Sequence, residues 1–334
     1  MPQKKSNLDP MHPRVKPTVF VISIFILGLL FGTIFEKVYF NKVSDPVERH
    51  ELGYKYISPL LDCDIYKEIS SDALEPFRDK IVNYLDENNL QDSTAIYFQD
   101  LQSGYWLGLK ERDDFILASL AKVPLLIAYY RITENDPDLA KTIIAYHDEF
   151  DGDQNIDDAS EVLVPGNEYL VEDLANRMIK YSDNESQKVV QRFVEENNPG
   201  LLEQVYALLG MKKGEEATLK SYSSAFRILY NASYLSNDYS EKALALLSKS
   251  DFKRGLVSGV PEDVMVSHKF GYFKSDFSTA IQFTHCGIVY VPKRPYLLCV
   301  NTRSEDARML ENRIDQVQEI SKMVYEEVTA QLGL

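Results

Sequence analysis

Strand-forming runs near both ends of the chain and a helical middle predict an α+β (α/β) fold of two lobes. An antiparallel sheet flanked by helices would come from both ends, with an all-helical lobe inserted between them. A third observation places a transmembrane helix in front. Residues 18–35 are 18 apolar or uncharged positions in a row, about 27 Å of helix at 1.5 Å per residue, enough to cross a hydrocarbon core. Lys4, Lys5, Arg14 and Lys16 precede that run, which keeps the N-terminus cytoplasmic and exports the chain beyond Phe35. Glu36, Lys37, Val38 and Tyr39 come next in place of a small-x-small cleavage site, so an uncleaved anchor is expected, with a cleaved signal peptide as the competing reading.

The organisation expected is therefore a basic cytoplasmic tail (1–17), an anchor (18–35), a stalk or linker (36–71) carrying Pro46, Gly53 and Pro59, and a folded body (72–334). A chain of 334 residues, 45% hydrophobic and 11% aromatic, can bury a full core. Its net charge of −15 repels phosphate backbones and argues against nucleic-acid binding. Three cysteines (Cys63, Cys286, Cys299) are too few for a disulfide scaffold. Cys286 and Cys299 could lie on neighbouring strands of a hairpin and pair after export, but read first as two small buried apolar side chains. Histidines without clustered spacing give no support for zinc, and neither a metal nor an organic cofactor is expected.

Within the body, Leu74, Phe77, Ile81, Val82 and Leu85 recur at helical spacing over 73–87. Runs 93–99 and 105–109, separated by Gly104, form a hairpin. Residues 119–132 are strongly apolar, and Pro124 is tolerated because it falls near the helix start. Further helices are expected at 171–180, 185–196, 201–209, 222–234 and 241–247. Residues 148–161 form an acidic solvated loop without the spacing of a calcium loop. Strands return at 264–270, 278–284, 287–291 and 296–301, and a helix over 307–332 closes the chain. The α/β lobe then takes about 72–118 and 256–334, and the helical lobe about 119–255.

Three short stretches carry chemistry. Ser119-Leu120-Ala121-Lys122 puts a hydroxyl and an amine at i and i+3 on one helix face, where they can touch. Burial beside Leu120, Val123 and Leu126 would lower the amine's pKa and let it act as a base. The pattern also occurs by chance, as Ser250-Asp251-Phe252-Lys253 demonstrates. Ser182-Asp183-Asn184 sits between two helical segments, where these residue types also serve as N-caps. Lys269-Phe270-Gly271 falls on a strand, offering a cation for a carboxylate and a glycine for close backbone approach.

In order and spacing these stretches resemble the S-x-x-K, S-D-N and K-T-G signature of class A β-lactamases and penicillin-binding proteins, with Phe270 in place of Thr. The resemblance covers roughly residues 72–334, and His285-Cys286-Gly287-Ile288-Val289 and Pro295-Tyr296-Leu297-Leu298 resemble that fold's paired late strands. It implies a β-lactamase/transpeptidase-like fold, with Ser119 as nucleophile, Lys122 as general base and Ser182 as proton relay. Asn184, Lys269 and Gly271 would bind substrate, Asp183 would orient the loop, and the backbone N–H groups of Ser119 and Tyr272 would form the oxyanion hole. The substrate would be a β-lactam or a D-Ala-D-Ala-type cell-wall peptide, handled outside the bacterial cytoplasm with no obligate protein partner.

One part of the pattern is missing. The family's deacylating Glu lies on a long loop between the second and third motifs. Here residues 210–219 leave room only for a turn, with Glu215 and Glu216 as its carboxylates. Acylation should therefore outpace ester hydrolysis. The other reading is a catalytically silent module that binds cell-wall peptides or reports β-lactams.

Overall fold

The computed structural model describes residues 54–59, 75–147, 163–214 and 216–332. The expected anchor, most of the stalk and the acidic loop at 148–161 lie outside these residues. Among the described residues no helix is long and apolar enough to cross a membrane.

The centre is a five-stranded antiparallel sheet of order β2-β1-β9-β8-β7. Its strands are β1 (Thr94–Asp100), β2 (Trp106–Leu109), β7 (Val266–Lys274), β8 (Ile281–Val289) and β9 (Tyr296–Ser304). Both ends of the chain thus meet in one sheet, with β1 paired to β9 from Thr94↔Thr302 to Asp100↔Tyr296. Period-2 alternation divides the side chains between two cores. Ile96, Phe98, Leu298 and Val300 join Phe77, Val317, Ile320 and Val324 from α1 (Glu75–Glu87) and α8 (Leu310–Leu332). Ala95, Tyr97, Leu297 and Cys299 face the helical lobe instead.

That lobe contains α2 (Lys122–Asn135), α3 (Val171–Lys180), α4 (Asn184–Asn197), α5 (Leu201–Leu208), α6 (Leu219–Tyr230) and α7 (Asn237–Leu247). The central helix α2 is buried from Lys122 through Tyr130, which is why its sequence lacks a polar stripe. Two short pairs stitch the connections: β3 (Asp114–Phe115) with β6 (Ala217–Thr218), and β4 (Ile143–Ala145) with β5 (Glu168–Leu170). At two or three residues each, they are too short for periodicity to reveal.

Several expectations are corrected. The separate strands at 278–284 and 287–291 are one strand, β8. Gly287 does not end it: a Cβ there would lie 2.7 Å from the His268 Cβ, so the glycine makes room for a cross-strand neighbour. Helix α6 begins at Leu219 rather than at 222, because Thr218 and Ser221 form a reciprocal capping box. Cys286 and Cys299, read first as unpaired, face each other across β8 and β9 and form a disulfide.

Residues 54–59, assigned by sequence to the stalk, are strapped to the body. The Glu241 carboxylate accepts the backbone N–H groups of Lys55, Tyr56 and Ile57 at 2.7, 2.8 and 3.0 Å. Ser58 N–H donates to the Tyr230 carbonyl, and Ile57 is fully buried.

Candidate active site

Phe115 is held by β6, and the chain then turns through a short tight helical turn, Ala118–Ala121, into α2. Ala118 takes a left-handed φ of +45°, uncommon for a residue with a Cβ. This turn places Ser119 over the first residue of α2. Lys122 is completely buried, and its Nζ lies 2.6 Å from Ser119 Oγ, 2.6 Å from Asn184 Oδ1, 2.8 Å from the Ser182 carbonyl oxygen and 3.3 Å from Ser182 Oγ.

A proton inventory shows what this arrangement can do. The Ser182 carbonyl and Asn184 Oδ1 can only accept, so each takes one N–H from Lys122. A neutral amine has two such hydrogens, which leaves its lone pair for a hydroxyl, and Ser119 Oγ at 2.6 Å is nearer than Ser182 Oγ at 3.3 Å. Burial lowers the Lys122 pKa to about 7, with the charge of Asp183 opposing the shift. The neutral amine is therefore accessible near neutral pH.

Ser182 is itself held at a left-handed φ of +58°. Asp183 is the N-cap of α4: its Oδ1 accepts the N–H groups of Glu185 and Ser186 at 3.0 and 3.3 Å. Its Oδ2 accepts Ser186 Oγ at 2.9 Å and both Nε and Nη2 of Arg177 at 3.1 Å. Capping and site geometry coincide here, because the fully occupied Asp183 carboxylate fixes the loop while Ser182 and Asn184 turn toward Lys122.

Lys269, on β7, is also fully buried. Its Nζ donates to Ser182 Oγ at 2.7 Å and to the Phe270 carbonyl at 3.2 Å. Burial depresses this amine well below its ordinary value, and the charge of Lys122 adds to the shift. Both lysines thus converge on one serine hydroxyl. Since β7 ends the sheet, the Phe270 carbonyl faces its outer edge, and antiparallel alternation puts the Tyr272 N–H on that same edge.

Gly271 was expected to admit substrate backbone. A Cβ there would lie 2.7 Å from the Leu117 carbonyl and 3.3 Å from the Leu120 nitrogen, so the glycine also lets β7 approach the turn that carries Ser119. Phe270 turns to the opposite face, where it stacks on Phe252 with ring centroids 4.0 Å apart. It offers the site a ring beneath Lys269 Nζ, 4.4 Å away, and no hydroxyl.

In the segment between α5 and α6, Glu216 is exposed and Glu215 lies outside the described residues. Lys213 is paired with Glu195 and Glu203 at 2.7 and 2.6 Å. Among the described residues no cluster of His, Cys, Asp or Glu could hold a metal ion. Sequence reasoning missed Arg177, which braces Asp183, and Tyr222, whose hydroxyl donates to the Leu120 carbonyl at 3.0 Å. It also missed Gln282, which holds the backbone of Ile116. None of the three lies in a motif, and no local pattern marks them.

This fold and this cluster define the serine β-lactamase and penicillin-binding class of proteins. The chain belongs to the beta-lactamase enzyme family, whose model matches residues 76–328. A solved structure of PBP-A is similar at a TM-score of 0.61 and 17% identity, over 77% of this chain and 97% of that one. A class A beta-lactamase from Mycobacterium abscessus gives 0.61 and 17%, over 75% and 98%. A beta-lactamase from Chitinophaga pinensis gives 0.64 and 16%, over 76% and 100%. At such identities the likeness establishes the fold. Comparison with the curated proteins returned no match.

Proposed function

We propose that this chain is a membrane-anchored, exported serine hydrolase that forms an acyl-enzyme on Ser119 with β-lactams or D-Ala-D-Ala-type peptides. The observation that carries the reading is the buried Lys122 amine, whose Nζ lies 2.6 Å from Ser119 Oγ. Lys122 takes the Ser119 proton as Oγ bonds to the substrate carbonyl carbon, and the N–H groups of Ser119 and Tyr272 receive the oxyanion. The C–N bond then breaks, and the leaving nitrogen takes its proton from Ser182, which Lys122 resupplies across their 3.3 Å contact. Lys269 holds Ser182 in place, and Asn184 binds the substrate amide. A solved acyl-enzyme of a PBP-A mutant with penicillin G supports this chemistry by analogy.

Hydrolysis of the ester is slow in this reading, because the short segment between α5 and α6 carries no long loop to bring a carboxylate to the ester. Export is supported by the basic-then-apolar N-terminus and by the Cys286–Cys299 disulfide, a bond that persists in oxidising compartments.

The test is intact-mass spectrometry of the protein after addition of penicillin, followed over time. A penicilloyl adduct that persists for many minutes and is absent in Ser119→Ala supports the reading. Rapid multiple turnover would overturn slow deacylation, and no adduct would overturn the acyl-enzyme. A catalytically silent binding module is favoured by two features, the short segment between α5 and α6 and the loss of the Thr hydroxyl at Phe270. It would bind penicillin reversibly, with equal affinity in Ser119→Ala.

A further inference from the structure

The residue pair Gln282 and Ile116 forms a contact that the proposed chemistry leaves unexplained. Strand β3 is paired to β6 only through Asp114↔Thr218 and Phe115↔Ala217. The next residue, Ile116, has both backbone groups taken by one side chain from the central sheet. Gln282 Oε1 accepts the Ile116 N–H at 3.1 Å, and Gln282 Nε2 donates to the Ile116 carbonyl at 2.8 Å. The amide thus substitutes for the strand partner that Ile116 lacks.

The amide cannot turn over. Its Nε2 also donates to Thr284 Oγ1 at 3.3 Å, and Thr284 is fixed in turn by Asn301 Nδ2 at 2.6 Å. A flipped amide would set a donor against the Ile116 N–H. Gln282 is 7% exposed, so breaking these bonds would leave buried polar groups unpaired. A second tie lies one strand over: Arg303, the cross-strand partner of Gln282, donates to the Asp114 carbonyl.

These ties hold the approach to Ser119. Two residues after Ile116 the chain passes through Ala118 at its left-handed φ of +45°, and Ser119 comes directly after it. Such a conformation persists only where its surroundings over-determine it. On the far side of Ser119 the turn is gripped by Tyr222 at the Leu120 carbonyl, and Gly271 lies close to both Leu117 before it and Leu120 after it. Gln282 is the hydrogen-bonded grip on the near side.

We infer that Gln282 is a positioning residue: its side-chain amide clamps Ile116 so that the strained turn holds Ser119 Oγ against Lys122. This rests on Ser119 being the nucleophile. Without the clamp, Ala118 can relax to an ordinary φ and Oγ moves off the amine. A fraction of an ångström matters, because a positioned nucleophile reacts through a near-attack geometry.

The experiment compares wild type with Gln282→Met, which keeps volume and removes both hydrogen bonds to Ile116 along with the one to Thr284. Ser119 reactivity is read by the rate of labelling with a fluorophosphonate and, separately, by saturation kinetics of penicillin acylation. The expected result is a fall of at least tenfold in the labelling rate and in the limiting acylation rate. The reversible binding constant for penicillin should stay within about twofold, the split expected when an interaction acts on the chemical step alone. A crystal structure of Gln282→Met should show Ala118 relaxed to negative φ. If Gln282→Met does not fold, Thr284→Val, which frees the amide to rotate, should show the same split with a smaller loss.

Unchanged labelling in a folded variant overturns the inference, as does loss of binding and reactivity together. Wild type labelled by the fluorophosphonate but inert to penicillin overturns the substrate reading and leaves the clamp testable by the labelling rate. Wild type inert to both reagents overturns Ser119 as nucleophile, and the clamp with it.

Discussion

In the proposed mechanism, protonation of Lys122 decides when Ser119 can react. Below its folded value of about 7 the amine carries three hydrogens and has no lone pair for the serine proton. Acylation by penicillin should therefore be slow at pH 5 and rise about tenfold per pH unit toward a plateau above pH 7, measured as a stopped-flow rate. Lys122→Met should lower that rate by about 10²- to 10⁴-fold, the usual contribution of a positioned base. A flat pH profile would remove Lys122 from the base role. Gly271 is the second residue-scale test. Gly271→Ala drives a methyl into the Leu117 carbonyl, a backbone atom that cannot swing aside. It should cost roughly 1–3 kcal/mol of stability and slow Ser119 labelling, read by denaturant unfolding and labelling kinetics. Gly200→Ala is a contrasting control, since open space surrounds that position and only its φ of +80° opposes the change.

Between β7 and β8 lies a pair of buried histidines with a stability consequence. His285 Nδ1 accepts the Leu256 N–H at 3.2 Å, so its other nitrogen carries the proton and faces His268 Nδ1 at 2.9 Å. Burial lowers the His268 pKa to about 3, with Lys253 and Lys269 adding to the shift, and pushes His285 well below its usual value. The unfolded chain protonates both near pH 6.5 while the fold keeps them neutral, so the unfolded state binds more protons at acid pH. Stability should then be undiminished above about pH 6.5 and fall steadily from there toward pH 3. A double His268→Gln, His285→Gln variant should show a shallower acid limb in urea melts at stepped pH, and an unchanged limb would refute the linkage. The strands of the central sheet were legible from β-branched and aromatic runs, and α3 was predicted at its observed bounds because Leu174, Ala175, Met178 and Ile179 mark its buried face. Continuity of β8 through Gly287 was not legible, because the glycine's reason is a neighbour on another strand.

Across the whole molecule, the strap at 54–59 ties the chain entering the body to α7 through Glu241, and to the residue after β8 through Tyr290 Oη, which donates to the Tyr56 carbonyl at 3.1 Å. Removing the acceptor leaves three backbone N–H groups without it. Glu241→Ala should cost roughly 1–3 kcal/mol and expose Lys55 to trypsin faster than in wild type. Equal cleavage rates would mean that the strap holds without Glu241. The sequence reading of a stalk through residue 71 missed this, since turn-formers and mixed charges do not disclose a carboxylate about 185 positions away.

The sequence by itself determined the fold class and named the groups proposed to react. Helical and strand periodicities are local, and a serine, a lysine and an amide keep their chemistry wherever the chain goes. Ser119 and Lys122 were predictable partners for the same reason, since three residues at a helix start fix their distance. Only the tertiary structure decided how the groups act. It brought Lys269 to Ser182 across 87 positions, stacked Phe270 on Phe252, and set Gly271 against the turn that carries Ser119. It also sealed both lysines from water, which lowers the pKa of each amine, that of Lys122 to about 7. Burial and proximity between distant segments belong to the folded chain as a whole, and no short stretch of sequence encodes them.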